Sequence, residues 1–186
     1  YFDDQDYNGE NYQKSPLLKG DYDNCTFTKC NFKESDLKNI NFSECTFTDC
    51  DFSMADIGNC SFKEVEFYEC KLLGLQFESC NPFLMSLFFK GCTLNFSSFY
   101  KLKLSGMKFI RCTLEQVDFT EANLTSVSFE KCNLENAIFQ NTNLQKADLR
   151  TATNFSISPQ QNIIEKAKFS NEGALSLLEP YNIIVD

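Results

Sequence analysis

The sequence predicts an all-β fold: a quadrilateral parallel β-helix closed by a short C-terminal helix and strand. Three observations lead there. Large apolar residues recur every five positions, as at Phe27, Phe32, Leu37, Phe42, Phe47 and Phe52. Five is neither the two-residue period of a strand nor the helical period near 3.6. A small or medium residue, often Cys, stands two places before each of them, and the other places are mostly polar. From Leu84 to Phe139 Leu and Phe alternate, so each type returns every ten residues, while Cys92, Cys112 and Cys132 return every twenty. Two inward and three outward positions per five describe one short side of a coil, and four sides make a turn. Stacked turns, at the strand spacing of roughly 4.8 Å, bring like residues into register.

Residues 1–20 read as an irregular first coil or cap, because Gln5 and Glu10 occupy inward places ahead of Tyr7 and Tyr12. Residues 21–80 carry regular coils, with large residues from Tyr22 to Phe77. Residues 81–83 hold a register break, since Pro82 cannot donate a ladder hydrogen bond. The beat resumes two places late at Leu84, making 84–151 a second set of coils that ends with Leu149. Phe83, Met85 and Phe88 then fall in outward positions, as packing over a kink or as a contact bulge. Residues 152–186 read as a cap. Ser170 or Asn171 starts a helix over "EGALSLLE", Pro180 ends it, and Ile183, Ile184 and Val185 form a short strand.

The 186 residues suit one domain and include no histidine. That excludes a Ser-His-Asp triad, a Cys-His pair and a His-ligated zinc site. A filled square core leaves no cleft, so neither catalytic residues nor a cofactor or metal is expected. No apolar run reaches the ~18 residues of a membrane span. The acidic start "YFDDQDYNGE" is unlike a signal peptide, which predicts a cytoplasmic location. All ten cysteines fall on the beat rather than in C-x-x-C clusters, and read as reduced core fillers.

The net charge of −9 lies wholly in residues 1–80, which hold 16 acidic and 7 basic side chains. A period of twenty sets Glu44 beside Glu64 and Asp49 beside Glu69, with Asp21, Asp23 and Glu66 bordering the same walls. Like charges directly opposite are destabilising. Their retention points to a use for negative potential, which steers a cationic partner. Asp36, Asp51, Asp56, Asp118 and Asp148 immediately precede large residues and read as turn residues bonding local backbone. Lys90, Lys101, Lys103, Lys108 and Arg111 cluster without stacked outward aromatics, so direct nucleic-acid binding is not expected.

"ANLTS", "CNLEN" and "ADLRT", at 122–126, 132–136 and 147–151, resemble the A(D/N)LXX pattern of pentapeptide-repeat proteins. The resemblance spans roughly residues 2–151 and implies that the β-helix is right-handed. "SPQQN" and "LLEPYNIIVD" resemble the C-terminal end of the Qnr-type and mycobacterial-type quinolone-resistance group. This second resemblance implies a DNA mimic that binds DNA gyrase and topoisomerase IV and protects them from quinolones. It also implies a homodimer joined through Leu177, Leu178, Tyr181, Ile183, Ile184 and Val185. The chain lacks the long loops of some Qnr members. The alternative is a generic protein-binding scaffold or toxin-immunity factor acting through Phe83, Met85 and Phe88.

Overall fold

In the computed structural model, residues 1–178, 181 and 183 are described. The chain winds as a four-sided coil whose corners are set by backbone conformation. Two places after most large residues the backbone enters the left-handed region, as at Asn24 (φ 48°), Lys29 (φ 53°), Glu34 (φ 57°) and Asn39 (φ 61°). None of the non-glycine residues there is β-branched, the side-chain type that clashes most in this conformation.

Wall one is a parallel sheet of β1 (Phe2–Asp3), β3 (Asp21–Asp23), β5 (Asn41–Ser43) and β7 (Ser61–Lys63). Wall two stacks β2 (Asp6–Asn8), β4 (Thr26–Thr28), β6 (Thr46–Thr48), β8 (Val65–Tyr68), β9 (Leu87–Lys90), β10 (Lys108–Ile110) and β11 (Ser128–Glu130). Walls three and four are joined by single bridges, such as Asn31 to Asp51 and Asp36 to Asp56. The register steps by twenty from Phe27 to Phe47, by twenty-two from Phe67 to Phe89, and by twenty again to Phe109.

That register makes a column of stacked rings inside wall two. Tyr7, Phe27, Phe47, Phe67, Phe89, Phe109 and Phe129 follow one another at centroid separations of 4.6–5.4 Å. Phe77, Phe99, Phe119 and Phe139 form a second column inside wall four. The columns meet edge to face, as Phe89 does Phe99 at 6.3 Å, an arrangement favoured by the ring quadrupole. The ten cysteines are free and buried. Six of them, from Cys30 to Cys132, line one column inside wall three; within it Cys50 and Cys70 donate to the carbonyls of Phe27 and Phe47 at 3.3 and 3.4 Å. Burial pushes the thiols of Cys45 and Cys60 up to about 12, which leaves them protonated and unreactive.

Three features depart from the sequence expectation. Ser61 pairs with Asn81, twenty residues on, but Val65 pairs with Leu87. Met85 and Ser86 are therefore the two added residues, and the pentad before them is intact. Leu84 is a corner residue (φ 56°, 65% exposed) rather than an inward one. Met85, expected outward, is half-buried against the core. Pro82 stands at the register place between the buried Phe62 and Leu104 but is itself exposed. Among the described residues no bridge or backbone hydrogen bond joins Asn81 or Pro82 to the next turn at Lys103. The imide nitrogen has no hydrogen to give, so wall one is slit there.

The coil also continues past Leu149. Asn143 pairs with Ile163 and Asp148 with Lys168, while Ile164 and Phe169 pack on the core. "NIIEK" and "AKFSN", residues 162–171, still carry the beat. At the other end Phe2 and Tyr7 pair in register with Tyr22 and Phe27, and Tyr12 stacks on Phe32, so residues 1–12 are coil as well. Gln5 and Glu10 are exposed.

Helix α1 spans Asn171–Ser176, shorter than the 172–179 expected. Ser170 caps it by accepting from the Gly173 amide at 3.0 Å. Pro180, Ile184 and Val185 lie outside the described residues, and with them most of the expected strand. No helix among the described residues is long and apolar enough to cross a membrane.

Candidate protein-binding surfaces

The acidic residues sort by column. Asp21 and Asp23 lie on β3 of wall one, and Glu66 on β8 of wall two. Glu44 and Glu64 occupy the corner between those walls on successive turns, as the pairing of Ser43 with Lys63 requires. Asp49 and Glu69 do the same at the far corner of wall two, beside the pairing of Thr48 with Tyr68. The structure thus brings Glu44, Asp49, Glu64, Glu66 and Glu69 around one wall over two turns, with Asp21 and Asp23 a turn above on the adjoining wall.

Several of these carboxylates have local partners. Tyr1 Oη donates to Asp23 at 2.7 Å, and this bond to a carboxylate pushes the phenol up to about 12. Asn41 donates to Asp21 at 2.6 Å. Tyr68 donates to Glu66 at 2.7 Å, which raises its own pKa. Arg111 lies 3.7 Å from Glu69. Glu44, Glu64 and Asp49 have no ion-pair partner among the described residues. Glu44 and Glu64, together with Glu66, line a shallow groove beside Phe88.

The five aspartates read as turn residues have that geometry. Asp36, Asp51, Asp56, Asp118 and Asp148 each accept from the amide two residues on, at 2.8–3.2 Å. Each caps its own corner and is not a free charge. Lys19 and Lys38 hold the carboxyls of Asp36 and Asp56 below the usual range by hydrogen bonding to them.

The slit in wall one opens a groove of about 670 Å³. Pro82, Phe83, Met85, Tyr100 and Leu102 line it, with Glu78, Lys101 and Lys103 at its edges. Phe83 is 65% exposed, with the Lys63 ammonium 5.9 Å from its ring centre. Phe88 does not face this groove. It is half-buried on wall two beside Tyr68, 5.7 Å between centroids.

Of the residues proposed for dimerisation, Leu177 packs against the core. Leu178, Tyr181 and Ile183 are exposed, as is Leu175. Ile184 and Val185 lie outside the described residues. Sequence reasoning missed Tyr100, Leu102 and Glu78 as groove residues, because it placed the extra residues too early. It also missed Met54 and Phe96, exposed apolar corner residues either side of Gly74 on one column. Their steps of twenty and twenty-two were legible once the insertion was fixed at Met85–Ser86.

The model of the pentapeptide repeat region matches residues 21–95 and 75–149. No curated protein matches the chain. Among solved structures, a trypsin-treated form of QnrB1, described as a plasmid-mediated fluoroquinolone resistance protein, is 19% identical with a TM-score of 0.66, covering 98% of this chain and 99% of its own. HetL, described as a pentapeptide repeat protein involved in heterocyst differentiation regulation from the cyanobacterium Nostoc, is 16% identical with a TM-score of 0.69, covering 91% of this chain and 86% of its own. At these identities the likeness is one of fold.

Proposed function

The chain belongs to the pentapeptide-repeat family, and on that premise we propose that it is a non-enzymatic binding protein whose partner is a type II topoisomerase. In this reading the acidic first half occupies the cationic saddle that DNA gyrase or topoisomerase IV offers to DNA. It thereby protects the enzyme from quinolones or modulates its activity in the cytoplasm. The observation that carries the reading is the Glu44–Glu64 column with Glu66 beside it, a row of carboxylates along one rod edge. B-DNA presents a charge about every 1.7 Å of axis, and a row of carboxylates meets the same cationic surface by the same attraction. The fold likeness to QnrB1, a fluoroquinolone resistance protein, supports the reading. A dimer joined through Leu178, Tyr181 and Ile183 would place the acidic halves at its two ends.

The test is a gyrase supercoiling assay with and without a quinolone. The wild-type protein shifts the drug's inhibitory concentration or slows supercoiling, and Glu44→Lys with Glu64→Lys abolishes the effect. No effect at a large molar excess over enzyme sinks the reading. A second reading, a protein-binding scaffold acting through Phe83 and Met85, is favoured by one observation: Phe83 stands exposed over an apolar groove.

A further inference from the structure

The groove in wall one departs from the pattern of the other coils. Phe83 and Leu84 are adjacent apolar residues, each 65% exposed, where the other coils mostly carry polar ones. Glu78, at the groove's edge, has a carboxylate oxygen shielded from solvent and without a hydrogen-bond partner. Exposed apolar surface beside an open groove is the feature that ligand contact would relieve.

The charge around the groove narrows the ligand. Lys101 and Lys103 stand on one side of it and Lys63 lies against the Phe83 ring. Lys101 already faces Glu121 at 3.4 Å, whereas Lys103 has no ion-pair partner among the described residues. We propose that this groove binds an extended peptide segment of a partner protein, carrying a large apolar side chain flanked by carboxylates. The apolar side chain fills the space between Phe83, Met85 and Leu102. A flanking carboxylate meets Lys103. The inference rests on the second reading above and adds the chemistry of the partner.

Fluorescence anisotropy with three labelled peptides tests it. Each holds a central Leu-Phe pair, flanked by Asp and Glu, by Asn and Gln, or by Lys. The acidic peptide binds most tightly, and Phe83→Ser and Lys103→Glu each weaken it by about tenfold or more. The Lys-flanked peptide binds Lys103→Glu better than wild type. Both positions lie at the surface, and circular dichroism checks that the variants fold. Equal binding of the acidic and neutral peptides, both lost in Phe83→Ser, keeps the docking site but overturns the inferred charge. No binding of any peptide, or binding indifferent to Phe83→Ser, overturns the proposal. So does a wild-type dimer that Phe83→Ser converts to monomer in light scattering, since the occupant is then a second copy.

Discussion

Glu69 and Arg111 meet at 3.7 Å across two turns of the coil, and the Glu69 carboxylate lies directly over Gly91 on the turn between. A Cβ at position 91 would collide with that carboxylate unless it moved, and the backbone there is left-handed (φ 69°). Glycine at position 91 holds without strain the left-handed conformation that Glu69 and Arg111 adopt on the same column, and it leaves room for the Glu69 carboxylate. Gly91→Ala should cost about 1–2 kcal/mol through the backbone alone, and more where the ion pair is also displaced. Glu69→Gln should cost less than about 1 kcal/mol, because both partners are exposed. Urea denaturation of the two variants separates these contributions; an equal loss in both would refute the assignment.

Leu84 and Phe96 hold left-handed conformations with exposed side chains. Nothing in the monomer requires either side chain at its corner. Leu84→Gly and Phe96→Gly should each stabilise the fold by roughly 0.5–1 kcal/mol, the difference between relieved strain and glycine's added unfolded-state entropy. Thermal melts measure this, and a clear loss of stability would mean that the side chains pack in a way their exposure does not reveal.

Phe67 sits between Phe47 and Phe89 at 5.1 and 5.4 Å and is buried. Phe67→Ala removes a ring from a column that crosses the insertion, and the stacked turns have little freedom to collapse into the space. A loss of about 3–5 kcal/mol is expected. Phe83→Ala, at the surface, should change stability by less than about 0.5 kcal/mol. Denaturation midpoints compare the two directly.

Asp148 accepts from the Arg150 guanidinium at 2.6 Å, and this hydrogen bond holds its carboxyl below the usual range. A carboxyl lowered on folding adds stability above its unfolded value, about 3.9. That contribution disappears as the pH falls through the lower folded value. Asp148→Asn should therefore be less stable than wild type at pH 7, with the gap closing below about pH 4. A gap that stays constant to low pH would show that the ionised Asp148 carboxylate adds nothing to stability.

The repeat made most of the fold legible. A beat of five fixes which side chains face inward, and Cys recurring every twenty fixes four sides per turn; both follow from residue type alone. The insertion was misplaced because Leu84 looks like an inward residue by hydrophobicity. Only the pairing of Val65 with Leu87 shows that it turns a corner. The end of the coil was read too early because residues 152–161 break the beat before "NIIEK" restores it. The acidic columns were legible from the period. The Arg111 partner of Glu69 was not, because side chains reaching across two turns lie outside nearest-neighbour stacking.

The open seam at Pro82 also bears on mechanics. Three sides of the shaft are stitched from each turn to the next at that height, through Phe67 to Phe89, Lys71 to Thr93 and Gln76 to Ser98, while the fourth is not. A tube sewn on three sides bends most easily by opening or closing its seam. Whatever wedges into the seam would set the bend of the whole shaft, and so the angle between its charged upper half and its neutral lower half.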